Sequence, residues 1–129
     1  MKTFRVPVAF DLMVTADDIE GLLATCFEGG STDWTYRVEQ VPTEGIPDVP
    51  HHSAYVAQGG TVELYHAAYD EDPAHRKVLL TREKMLEGIK RYFAQYGYDA
   101  LRDPEVGTAD AIEADMMLQL AVFDEVIFG

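Results

Sequence analysis

Four histidines, His51, His52, His66 and His75, together with the acidic run Asp70, Glu71 and Asp72, are the residue types that hold divalent metals through imidazole nitrogen or carboxylate oxygen. Their spacing matches no metal site. His51 and His52 are neighbours in a proline-rich stretch and point apart, and YDEDPAH (69–75) lacks the glycine and the closing glutamate of a calcium loop. A small hydrolase using His66 with Asp70 rests on proximity alone. Cys26 is the only cysteine, so it forms no internal disulfide, and it sits on the apolar stripe of a predicted helix with no histidine near it in sequence. That is the place of a small buried hydrophobe in a reducing compartment, not of a nucleophile. There is no G-x-S-x-G and no phosphate-binding loop; Gly29-Gly30 and Gly59-Gly60 are isolated pairs. The chain is therefore expected to be a non-enzymatic protein without metal or cofactor.

Binding is the remaining class, and charge bears on it. The net charge is −13, and after residue 98 eight acids face Arg102 as the only base. Such a field repels nucleic-acid phosphate and suits a partner protein with a basic surface. Candidate partner-binding residues are Asp103, Glu105, Asp110, Glu113 and Asp115, with Asp70, Glu71 and Asp72 as a second patch. The bland alternative is a solvated helix face and a solvated loop. A different binding chemistry would use Trp34, Tyr36 or Tyr55 to stack a base and Arg37 to meet phosphate, sequestering a small nucleotide. The same aromatics also suit core and strand-pair positions.

These residues must be positioned by regular elements. With 129 residues, a single domain spanning 1–129 is expected, and no apolar run approaches the roughly 18 residues that cross a bilayer. Arg5 and Asp11 interrupt the apolar N-terminal stretch, which argues against an export signal and for a cytoplasmic protein. From Lys2 to Met13, apolar Phe4, Val6, Val8, Phe10 and Leu12 alternate as in a half-buried strand, with Pro7 favouring an edge or a bulge. Thr15 and Asp18 form a capping-box variant opening a helix from Ala16 to about Phe27, which Gly29 should close at positive φ. Trp34–Val41 reads as a strand with Trp34, Tyr36, Val38 and Gln40 on one face. Residues 42–52 read as a loop. SAYVAQ and TVELYHA read as two strands joined by Gly59-Gly60. RKVLL adds a short strand or leads into a helix capped by Thr81 and running from Arg82 to about Tyr96. Thr108 and Asp110 open a last helix with Ile112, Met116, Leu120 and Phe123 on one buried face, and the apolar VIFG after it should be docked. The expected fold class is α+β, a mostly antiparallel sheet of four to five strands with three helices on one face.

The segments DLMVTADDIEGLLATCFEGGSTDWTYRVE, LLTREKMLEGIKRY and ADAIEADMMLQLAVFDEVIFG carry a Thr-Ala-Asp-Asp-Ile helix start close to the group's Thr-acid-x-Asp-Ile, a Glu-Gly-Gly turn before an aromatic strand, a Leu-Thr helix start and a closing Phe-x-Glu-x-hydrophobic-aromatic-Gly. In order and spacing they resemble a group of small accessory proteins encoded by bacteriophages and prophages. Two departures stand out: Ser31, Thr32 and Asp33 separate Gly30 from Trp34, and Asp124 occupies a position where the group carries glycine. The resemblance implies a phage or prophage origin and brings no enzymatic activity with it. Joined to the charge, it yields a counter-defence inhibitor whose acidic surface, as a nucleic-acid mimic, blocks a host defence protein, acting in the host cytoplasm.

Overall fold

The structure, a computed structural model, describes residues 1–9, 11–66, 76–97 and 109–129. Within them the chain forms α1 (Ala16–Thr25), a π turn (Cys26–Gly30), β1 (Thr35–Val41), α2 (His52–Ala57), β2 (Thr61–His66), β3 (Lys77–Leu80), α3 (Arg82–Tyr96) and α4 (Ala111–Phe123). The three strands make one antiparallel sheet in the order β1-β2-β3. The α+β character stands, but the expected four to five strands and three helices become three strands and four helices among the described residues. Two segments account for the difference.

SAYVAQ is the first. It is a helix, not a strand, and the Gly-Gly pair behind the hairpin expectation is its C-cap. The Gly59 amide donates to the Val56 carbonyl at 2.9 Å and the Gly60 amide to the Tyr55 carbonyl at 2.8 Å, the paired bonds of a Schellman motif, with Gly59 at φ 106. A β-carbon on Gly60 would strike the ring of Tyr55, so this glycine also admits that buried ring. Short apolar runs before Gly-Gly suit either element, and burial of Ser53, Tyr55, Val56 and Ala57 together decides for the helix.

The second is the N-terminal segment. Residues 1–9 and 11–14 form no regular element, and Phe4, Val6 and Val8 stand 78%, 76% and 77% exposed. Alternation alone makes no strand, because a strand's amides need a partner's carbonyls.

The inner face of the sheet, Val62, Leu64, His66 and Leu80, is buried under the helices, while Arg37, Glu39, Glu63, Tyr65, Lys77 and Leu79 line the outer face. In β1 the register slips between Thr35 and Arg37, so Tyr36 is the extra residue of a bulge. This splits the face expected to join Trp34, Tyr36, Val38 and Gln40: Trp34 is buried and Tyr36 is 62% exposed. α3 lies along α4 so closely that a β-carbon on Gly88 would meet the Met117 carbonyl oxygen and approach the Ala121 β-carbon to 2.7 Å. That crossing turns Ala114, Met117 and Leu118 inward and leaves Ile112, expected in the core, 73% exposed. Thr15 and Asp18 form the capping box on α1, and Thr81 caps α3, both as the local spacing implies. α1 ends through the π turn instead of a left-handed glycine; Gly29 has φ 174.

Candidate acidic interface

The turn CFEGG is packed against the start of α4. A β-carbon on Gly30 would lie 3.0 Å from the Ala111 carbonyl oxygen, so glycine permits the approach. Ser31, just beyond, donates its hydroxyl to Asp115 Oδ1 at 2.6 Å, and Trp34 donates its indole N–H to the same oxygen at 2.7 Å. Gln119 Nε2 donates to Asp115 Oδ2 at 2.8 Å and to the Phe128 carbonyl at 3.1 Å, while its Oε1 accepts the Ile127 and Phe128 amides at 2.9 and 2.8 Å. All four bonding positions of this buried amide are used. The returning Phe128 ring stacks on Trp34 at 5.4 Å and 3°, with Phe123 tilted against both. Asp124, at φ 63, turns the chain back, and its carboxylate pairs with Arg91 at 3.1 Å.

This network separates the acidic candidates. Asp115 joins three elements through three hydrogen bonds and is partly buried. Asp110 is exposed and N-caps α4, its side chain accepting the Glu113 amide at 2.8 Å. Glu113 is half-buried and accepts the Tyr92 hydroxyl at 3.2 Å. Asp103, Glu105, Asp70, Glu71 and Asp72 lie outside the described residues, as does His75. Two acids not picked out by the charge count are brought to the same end of the molecule. Glu28, on the π turn, and Asp33, between Ser31 and Trp34, are both exposed. Exposed Ile112 stands between Asp110 and Glu113 in the first turn of α4. The sequence clue to this grouping was Gly30, whose missing side chain permits the contact; nothing local reported it.

The nucleotide-stacking candidates divide between the core, where Trp34 and Tyr55 lie, and the Tyr65 ring, beside which Tyr36 and Arg37 lie. The Trp34 and Tyr55 rings are buried, and the Tyr55 hydroxyl donates to the Val41 carbonyl at 2.6 Å. Tyr36 is exposed on the bulge, 6.2 Å from the Tyr65 ring. Arg37 pairs with Glu39 and lies 4.9 Å from the centroid of the Tyr65 ring. That hydrogen bond with Glu39 raises the Arg37 pKa and holds the Glu39 carboxyl below its ordinary range. The guanidinium thus already has its anion and its aromatic face.

Neither chemical group singled out for catalysis is exposed. Burial pushes the Cys26 thiol up to about 12, and the nearby Asp115 carboxylate adds to the rise, while the neighbouring Ser31 side chain opposes it. His66 is buried against Phe123, with neither ring nitrogen hydrogen-bonded to any of the described residues, and burial lowers its pKa. His52 Nδ1 lies 3.2 Å from Gln40 Nε2. Among the described residues, no group of three or more His, Cys, Asp or Glu is placed to hold a metal, and no helix is long and apolar enough to cross a membrane. No protein-family model matches the chain, and neither a curated protein nor a solved structure matches it.

Proposed function

We propose that this protein acts without catalysis, as an acidic ligand for a basic protein surface of the kind that binds nucleic acid, in keeping with the short motifs that resemble phage accessory proteins. The partner on this reading is a host defence protein, and the protein acts as a counter-defence inhibitor. One observation supports it above the rest: Glu28, Asp33 and Asp110 present exposed carboxylates around the contact between the π turn and α4, with exposed Ile112 beside them. An apolar side chain among carboxylates suits an interface that anchors in one place and steers by charge elsewhere. Acids at the start of α4 are also favoured by the positive end of the helix dipole, so the charge is tolerated locally.

The test combines capture and salt dependence. Basic proteins captured from lysate of the host on the immobilised chain would be identified, and their association rates measured at rising ionic strength. The variant Glu28→Gln/Asp33→Asn/Asp110→Asn/Glu113→Gln should fold, since asparagine serves as an N-cap about as well as aspartate. It should associate more slowly and with a weaker salt dependence, because exposed charges act over about 8 Å at physiological ionic strength. Equal rates for parent and variant at low and high salt would refute the reading.

A further inference from the structure

Between the segment preceding α1 and the outer side of α3 lies a groove of about 900 Å³, walled by Leu12, Val14, Leu86, Ile89 and Phe93, with Asp11 and Lys90 as its polar members. Val8 and Ala9 form part of its lining. The residues before them run past it, since Phe4 and Val6 remain largely exposed and do not line it. Among the described residues, exposed Phe4 and Val6 therefore adjoin an apolar groove whose lining does not include them.

We propose that the groove receives residues 4–7 of a second copy of this chain, the two copies exchanging N-terminal segments across a two-fold axis. Three features select this occupant. The lengths agree: from Leu86 to Ala94 the wall of α3 extends about 12 Å at about 1.5 Å per residue, and Phe4 to Pro7, if extended in the groove, would span about 10 Å at about 3.3 Å per residue. The charges agree as well. Residues 1–9 hold Lys2 and Arg5 and no acid, leaving eight bases against twenty-three acids, a balance of −15, on the rest of each copy. The segment is thus the part of one copy best able to approach another without like-charge repulsion. Finally, the exchange is isologous, so both apolar segments and both grooves are covered at once and the assembly closes at two.

The experiment uses the full chain and sedimentation equilibrium over a range of concentrations. The parent should sediment with the mass of a dimer at high concentration and dissociate on dilution. Phe4→Asp/Val6→Asp should remain monomeric and melt where the parent melts when diluted to monomer, because both side chains are largely exposed in their own copy. The double variant Val6→Cys/Ala94→Cys, whose native Cys26 is buried and does not compete, should form a disulfide-linked dimer on mild oxidation. A parent that stays monomeric at its highest soluble concentration overturns the proposal and leaves the groove to another occupant. A disulfide within one chain in the double-cysteine variant also overturns it, showing that the segment folds back onto its own groove.

Discussion

Trp34 and Asp115, 81 residues apart, are joined by a 2.7 Å hydrogen bond from indole nitrogen to carboxylate oxygen, and the same oxygen takes the Ser31 hydroxyl. Asp115 is therefore the acceptor around which the π turn, the start of β1 and α4 are assembled. Asp115→Ala would leave an indole N–H, a hydroxyl and one Gln119 N–H without their partner. The expected loss is about 2 to 4 kcal/mol, since each unsatisfied buried donor costs about 1 to 3 and water will reach some of them. Urea unfolding of the variant measures it; a midpoint equal to the parent's would make the network incidental.

Gly88 and Gly29 should respond oppositely to alanine. At Gly88 the new methyl meets the Met117 carbonyl and the Ala121 side chain, so α3 and α4 must separate. Overpacking of this kind costs about 1 to 3 kcal/mol. At Gly29 none of the described residues lies within 4 Å of the new methyl and φ is 174, so Gly29→Ala should be neutral or stabilise by up to about 1 kcal/mol. Paired thermal melts decide the matter, and a destabilised Gly29→Ala would contradict the backbone described for the turn.

His66 should make stability depend on pH just below neutrality. Its folded pKa lies below the ordinary 6.5, so the unfolded chain binds a proton that the folded chain resists. The stabilisation is fully present above pH 6.5 and is lost as pH falls from there towards the folded pKa. Glu39, whose folded pKa is also lowered, acts in a separate window below its ordinary 4.5. Unfolding free energies from pH 7.5 to 5 should therefore fall more steeply for the parent than for His66→Phe. Parallel curves would show that other groups set the pH dependence.

Cys26 should be inert to thiol reagents in the folded protein. A thiol held near pKa 12 has almost no thiolate at neutral pH, and its side chain is buried. Labelling should proceed only as fast as the protein opens, and should become immediate in denaturant. Rapid labelling under native conditions would place Cys26 at the surface.

Local chemistry was legible in the sequence. Thr15 with Asp18, Thr81, and Asp110 cap their helices because each reads only a backbone three residues away. Gly59-Gly60 announced a turn but not its kind, since positive φ serves a hairpin and a Schellman cap alike. Residues 2–13 alternate correctly for a strand, yet no pattern within a segment supplies the neighbour it must pair with. Alternation puts Trp34 and Tyr36 on one face, because an inserted bulge residue leaves no mark in an alternating run. Asp115 reads as a surface acid for a related reason. Its partners are remote in sequence, and a carboxylate that accepts an indole looks, as a letter, like one that faces water.

The clamp formed by Asp115 and Gln119 also bears on the order in which the molecule can be made. α1, the π turn and β1 are synthesised long before their anchor. At about 5 to 20 residues per second, Trp34 waits roughly 4 to 16 seconds for Asp115 to be added, and longer for Phe128 to cover its ring. Closing so long a loop carries an entropic penalty that only the finished set of bonds offsets. During synthesis, then, the Trp34 indole has neither its acceptor nor its covering ring until α4 and the returning tail are added.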